Sequence, residues 1–172
     1  MNQNQLIKPL SEIASSAGEA ILDIYNSNFQ VTTKNDQSPL TQADLSSHHI
    51  IVDGLKNITP NIPIISEENP LQSFDERKKW QEYWIIDPLD GTKEFVKKNG
   101  EFTVNIALIR NHKAVLGIVH VPVTQKTYIG CEGEGAQMFS PTQKPKQISV
   151  SNKINQALRI VGSRSHRDES LD

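Results

Sequence analysis

The stretch Trp84-Ile85-Ile86-Asp87-Pro88-Leu89-Asp90-Gly91-Thr92-Lys93-Glu94-Phe95 decides how this chain is read. Tyr83 to Ile86 is an aromatic and β-branched run, which reads as a buried strand. The strand ends in acid at Asp87, and Pro88 then fixes φ and removes a donor. Asp90-Gly91 is a turn dipeptide, and Thr92 with Glu94 suits the first turn of a helix. Two carboxylates are therefore expected on a stiff turn at a strand end, beside the N–H groups of Gly91 and Thr92. Carboxylates attract a hard cation, and free N–H groups attract phosphate. Together they point to metal-assisted phosphate chemistry. A plain capped strand-to-helix turn is the alternative reading.

Working outward, Leu6 to Tyr25 has helical spacing, with Leu6, Leu10, Ile13, Ala14, Ala17, Ala20, Ile21 and Ile24 on one face. Pro9 fits only if it lies in the first turn. Phe29 to Thr33 reads as a short strand and Lys34 to Pro39 as an exposed loop. A second helix is expected from Thr41, where Thr41 and Asp44 resemble a capping box; Leu45, Val52 and Leu55 line its apolar face, with Ile51 beside it. Ile62 to Ile65 is a short apolar strand that also ends in acid, at Glu67 and Glu68, and a polar connection with room for one helical turn runs on to Lys79.

After the central stretch the period changes to two. Phe102, Val104, Ile106 and Leu108 share a face, and Arg110 to Lys113 reads as a hairpin into Ala114–Val121. Gly130, Gly133 and Gly135 read as a further hairpin turn between Thr127–Ile129 and Ala136–Phe139, with a phosphate loop the lesser reading. Ile148 and Val150 are placed as closing the sheet, and Leu158 to Val161 as one more strand. Two N-terminal helices packed on a mostly antiparallel sheet make an α+β fold.

The chain has 172 residues, a net charge of −2 and a pI near 6.2, so nothing in its overall charge suits a nucleic acid polymer. Cys131 is the single cysteine, which excludes an intrachain disulfide, and no cysteine or histidine cluster suggests structural zinc. No apolar run approaches a transmembrane segment and no secretory signal is visible, so a cytoplasmic protein is expected.

If the strands ending at Glu67 and at Asp87 are neighbours, three or four carboxylates meet on one sheet edge, where a divalent cation would remove their mutual repulsion. An all-oxygen set favours Mg²⁺. A solvated loop is the plainer reading of Glu67 and Glu68. Asp44 reads as a helix cap; its functional reading needs a hydroxyl, and Thr92 is the candidate. His48 and His49 are read as surface or rim residues, His120 as a sheet histidine with a partner, and Lys34, Lys93, Lys97 and Lys98 as solvated charges. Ser163-Arg164-Ser165-His166 is a polar cluster after a strand, read equally as a loop.

Asp87-Pro88-Leu89-Asp90-Gly91-Thr92 resembles the D-P-[LI]-D-G-T signature of the inositol monophosphatase-like superfamily, the lithium-sensitive Mg²⁺ phosphatases. Ser38-Pro39-Leu40-Thr41-Gln42-Ala43-Asp44 and Ser66-Glu67-Glu68 match two further motifs in the same order. The run through Phe95 and from Asn99 to Leu108 resembles the bacterial 3'(2'),5'-bisphosphate nucleotidase branch, with a place in sulfur metabolism.

The resemblance implies Glu67, Asp87, Asp90 and the Leu89 carbonyl as ligands of two or three Mg²⁺ ions. It implies Asp44 and Thr92 as the catalytic pair acting on water. Glu67, Leu89, Asp90, Gly91, Thr92 and, more weakly, His166 would contact substrate. The implied reaction converts adenosine 3',5'-bisphosphate to AMP and phosphate; inositol or sugar phosphates are the alternative substrates. A catalytically incomplete phosphate- or metal-binding remnant is the reading from another class. The resemblance further implies a monomer, acting on a small bisphosphate nucleotide and peripheral at the inner membrane face.

The family's later W-D-x-A-A-G run is absent. The expectation is therefore a metal-binding domain over 1–156 and the start of a truncated α/β domain over 157–172. The first would be one layer pair of a sugar-phosphatase-type sandwich with the second domain missing, and the 172-residue chain alone would be nearly inactive.

Overall fold

The computed structural model describes residues 3–33 and 39–151. Helix α1 (Asn4–Tyr25) buries Leu6, Leu10, Ala14, Ala17 and Ile21, which is the stripe its spacing predicts. It starts early enough that Pro9 is its sixth residue, not a first-turn residue. Only the bond from position 9 to the Gln5 carbonyl is lost, and the buried Leu6 and Leu10 on either side hold the turn in place. The first strand is shorter than expected, β1 (Val31–Thr33), and it pairs with a strand the sequence did not announce, β2 (Pro39–Thr41).

Helix α2 (Gln42–Ile58) begins at a true capping box on Thr41. Its core face is Ala43, Ile51, Val52 and Leu55; Leu45, expected on that face, is 40% exposed. At Gly54 an added Cβ would lie 2.6 Å from Ile13 Cγ1, so the missing side chain sets how closely α1 and α2 approach.

The remaining elements are β3 (Ile64–Ser66), the single turn α3 (Phe74–Arg77), β4 (Glu82–Asp90), the single turn α4 (Thr92–Val96), β5 (Thr103–Arg110), β6 (Lys113–Val121), β7 (Lys126–Cys131), β8 (Gly135–Ser140) and β9 (Gln143–Ile148). Strands β3 to β9 form one sheet in sequence order, parallel between β3 and β4 and antiparallel elsewhere. The fold is α+β, as expected. The closing strand is the lysine-bearing β9, while Val150 lies outside it and is 87% exposed. Among the described residues β9 is an edge strand, a position that its lysines and Pro145 suit. The strand expected at Leu158–Val161 and the boundary expected at 156/157 lie outside the described residues.

Both long helices cover one face of the sheet. Phe102, Val104, Ile106 and Leu108 of β5 and its approach all point into that layer and are nearly inaccessible, alongside Trp84 and Ile86 of β4. Trp84 donates from Nε1 to Thr59 Oγ1 at 3.0 Å, and Thr59 Oγ1 in turn donates to the Leu55 carbonyl at 2.9 Å, so the largest core side chain also ties down the end of α2. At the opposite end of the core, Tyr25, Phe95 and Phe102 form a ring cluster, and Lys98 Nζ stands 4.4 Å from the Tyr25 ring centre and 4.6 Å from that of Phe29. Lys98 is therefore not the ordinary solvated charge expected of it; the two aromatic faces attract its ammonium.

The α1–α2 contact gives a direct test. Gly54→Val should cost about 1–3 kcal/mol by overpacking against Ile13. In urea unfolding, the double variant with Ile13→Ala should lose less than the sum of the two single changes.

Candidate active site

The spacing of Asp87 and Asp90 would place them on opposite faces of a regular strand, because strand side chains alternate. A bulge in β4 prevents this. Asp87 pairs with Asn105 and Asp90 with Thr103, so three steps on β4 match two on β5. Pro88 and Leu89 are both buried inside the bulge, and both carboxylates belong to the face away from the helices. Pro88 has no N–H to lose from the ladder, so it suits this position. The acids thus lie within the strand, not on a turn beyond it. Gly91, which follows, has φ 95°, and a Cβ there would lie 2.8 Å from the Glu101 carbonyl oxygen, so both backbone shape and space require glycine.

The neighbouring strand β3 runs parallel to β4 in the register Ser66↔Ile86, and the Glu67 N–H donates to the Ile86 carbonyl at 3.3 Å. Glu67 and Glu68 therefore follow onto the edge that carries Asp87 and Asp90. Asn105, not singled out from the sequence, donates from Nδ2 to Asp90 Oδ2 at 3.1 Å and accepts from Thr103 Oγ1 at 3.1 Å. The period-two pattern of β5 was the available signal: it puts Thr103 and Asn105 opposite its apolar face.

Asp44 is buried, with 1% of its surface exposed. Its Oδ2 accepts from the Thr41 N–H and from Thr41 Oγ1, each at 2.7 Å. Its Oδ1 accepts from Thr92 Oγ1 at 3.2 Å, and the same hydroxyl lies 3.2 Å from the Leu89 carbonyl oxygen. Asp44 is at once a helix cap and the partner of Thr92. One turn further along α2, Ser47 Oγ donates to the Pro88 carbonyl at 2.7 Å, and His48 Nδ1 is hydrogen-bonded to Ser66 Oγ at 2.8 Å. His48 is thus a buried residue and not a rim residue; burial, with His49 acting in the same direction, holds its imidazole below the usual range. His49 is exposed, as expected, and His120 is a buried strand histidine hydrogen-bonded to Thr127. His166 lies outside the described residues. Spacing was the signal for Ser47 and His48: with Thr41 and Asp44 they form one polar stripe at helical intervals.

The inositol monophosphatase family pattern matches residues 2–172. The chain is a member of the inositol monophosphatase family. It is 43% identical over 168 residues to the 3'(2'),5'-bisphosphate nucleotidase CysQ of Salmonella typhimurium, a match covering 96% of this chain and 66% of that protein, a little under two thirds. The structure of CysQ from Bacteroides thetaiotaomicron superposes with a TM-score of 0.69 at 35% identity, over 95% of this chain and 65% of that one. The extragenic suppressor protein suhB from Bartonella henselae superposes with a TM-score of 0.73 at 27% identity, over 87% and 55%.

In this family member the acidic edge carries an electrostatic conflict. Burial first, and then the charges of Glu67 and Asp90, push the Asp87 carboxyl up to about 7; a hydrogen bond at Leu89 opposes the shift and Glu68 adds to it. Among the described residues, no three acidic, histidine or cysteine side chains close into a ready metal cage. The carboxylates share an edge without meeting at one point.

A folded-state carboxyl raised from 3.8 to about 7 is a stability cost that appears as pH rises. Below about pH 4 Asp87 is protonated in both folded and unfolded chains and costs nothing. Between pH 4 and 7 the folded chain holds the extra proton, so stability falls with rising pH. In chelator, Asp87→Asn should therefore match the wild type near pH 4 and melt higher above pH 7. Solvent screening limits the net effect to about 1 kcal/mol, or roughly 2–4 °C by thermal denaturation.

Proposed function

We propose that the complete protein is a Mg²⁺-dependent phosphomonoester hydrolase that removes the 3'-phosphate of adenosine 3',5'-bisphosphate, giving AMP and phosphate. The observation that carries this reading is the buried Asp44 carboxylate hydrogen-bonded to the Thr92 hydroxyl beside an acidic edge. The 43% identity to a bisphosphate nucleotidase supports the choice of substrate.

Glu67, Asp87, Asp90 and the Leu89 carbonyl are an all-oxygen set of the kind that hard divalent cations select, and the repulsion at Asp87 is a conflict that such a charge relieves. These residues would hold Mg²⁺, two or three ions in the family pattern. When bound, Mg²⁺ supplies charge neutralisation at the phosphate oxygens.

The chain's own residues account for activation of water. Asp44 accepts the proton of Thr92, which leaves the lone pairs of Thr92 Oγ1 to accept from a water molecule. As the water oxygen bonds to phosphorus, its proton passes to Thr92 while the Thr92 proton passes to Asp44. The phosphorus–3'-oxygen bond breaks, and the departing oxygen is protonated from solvent. Gly91 and Thr92 would present backbone N–H groups to the phosphate, and Asn105 would hold Asp90 in place. His166 remains a proposed contact to the nucleotide.

Asp44→Asn in the complete enzyme keeps an oxygen for Thr41 and loses the base. Stability should fall by at most about 1 kcal/mol, while kcat should fall by roughly 10²–10⁴-fold. An unchanged kcat would make Asp44 a cap and nothing more. Assayed against a panel of phosphate esters, the enzyme should prefer adenosine 3',5'-bisphosphate over inositol 1-phosphate; the reverse preference would overturn the nucleotidase assignment.

A further inference from the structure

A cavity lies away from the acidic edge, between α3, the start of β4 and the β5–β6 turn. Its volume is about 130 Å³, and its lining includes Ile65, Phe74, Arg77, Trp80, Tyr83 and His112. Tyr83, Ile85 and Asp87 point to the same face of β4, so Tyr83 stands four residues, or about 13 Å, from Asp87 at ordinary strand rise. The cavity therefore lies along the sheet from the edge to which the hydrolysis is assigned, and its nearest lining residue to that edge is Ile65, two residues before Glu67.

Three features of this cavity define what would fill it. Its walls are aromatic: the Trp80 and Tyr83 ring centres are 6.0 Å apart with planes at 51°, and Phe74 is 69% exposed beside them. Its charged lining is cationic. Arg77 spends Nε on the Gln72 carbonyl at 2.9 Å, which leaves the two terminal nitrogens of its planar fork for a ligand. Lys78, also at the cavity, is already paired with Asp75 at 2.6 Å, so Arg77 and His112 are the groups left to meet an anion. Finally, the frame is fixed. The Trp80 N–H donates to the Arg77 carbonyl at 3.1 Å, and the Asn111 N–H donates to the Gln81 carbonyl at 2.8 Å. Asn111 and His112 both have positive φ, as a tight two-residue hairpin requires.

We propose that this cavity is a binding site for a planar aromatic ring carrying an anionic group. The ring stacks on the face of one of Trp80 and Tyr83 and meets the other, tilted by 51°, at an edge, above Ile65, and the anion engages Arg77 and His112. The volume suits one ring system, well below that of a drug-sized pocket. Stacking on aromatic side chains is tolerant of ring identity, whereas the guanidinium fork demands an oxyanion such as phosphate or carboxylate. Two sources share that chemistry, a nucleoside monophosphate and a simple aromatic carboxylate.

The chain supplies its own reporter. Of its two tryptophans, Trp84 is fully buried in the core and Trp80 is at the cavity. Tryptophan fluorescence of the protein, excited at the red edge and measured in chelator so that no divalent cation bridges ligand to the acidic edge, is titrated with AMP, benzoate or adenosine. The expected result is saturable quenching by AMP, by benzoate or by both, which identifies the source. Adenosine, which lacks the anion, should bind at least tenfold more weakly than AMP if AMP is the ligand. Arg77→Glu and the milder Arg77→Gln, each checked for unchanged far-UV dichroism, should weaken binding at least tenfold, while Asp87→Asn should leave it unchanged. Absence of saturable quenching by both anions overturns the proposal. So does adenosine binding as tightly as AMP, Arg77 variants that bind like wild type, or loss of binding in Asp87→Asn. None of these outcomes depends on phosphatase activity, so the hydrolase reading and this one fail separately.

Discussion

The carboxylate of Asp44 is taken almost wholly out of water, and the rest of the site depends on how its hydrogen bonds are met. A buried charge without partners would cost several kcal/mol. Here one oxygen receives the N–H and hydroxyl of Thr41, and the other receives the hydroxyl of Thr92, 48 residues later in the chain. The same group therefore starts α2 and fixes where α4 begins. Ser47 and His48, one turn along, extend the constraint to the Pro88 carbonyl and to Ser66. A buried polar stripe of this kind stabilises the fold only when every partner is in place, so it selects one placement of α2 relative to the ends of β3 and β4 and the start of α4.

The sheet supplies the complementary constraint. Its inner face is a continuous apolar layer under α1 and α2, which leaves the outer face and the strand ends to carry charge. A regular β4 would have sent one of Asp87 and Asp90 into that apolar layer. The bulge at Pro88-Leu89 turns both outward and offers the Pro88 carbonyl to α2. Burial, the stripe on α2 and the bulge in β4 are thus one arrangement: the helix holds the bulge from behind, and the bulge presents acid in front.

Local patterns were readable in the sequence wherever a residue's neighbours along the chain decide its environment. The α1 stripe, the Thr41–Asp44 cap, the alternation of β5 and the hairpin at Asn111-His112 are of this kind. What was not readable depended on distant partners. His48 is buried because Ser66, 18 residues on, offers it a partner, and Ser47 is buried because a proline carbonyl 41 residues away needs a donor. Leu45 has the right spacing for the core, but α2 turns Ser47 and His48 inward at its start instead. Lys98 looks like any surface lysine until the fold brings the rings of Tyr25 and Phe29 beneath it. The three-residue spacing of Asp87 and Asp90 reads as a turn because a bulge has no local signature beyond the proline that permits it.

One hydroxyl joins the two halves of the site. Thr92 Oγ1 has a single proton and two acceptors at the same 3.2 Å distance, Asp44 Oδ1 and the Leu89 carbonyl oxygen. While both are available, the proton is shared between a buried carboxylate and a carbonyl on the acidic edge. A cation on the Leu89 carbonyl would draw electron density from that oxygen and weaken it as an acceptor, which would favour donation to Asp44. The Thr92 lone pairs would then point away from the carboxylate. On the proposed reading, occupancy of the acidic edge would in this way bias the orientation of the group that would receive a water, through the single rotatable bond of the Thr92 hydroxyl.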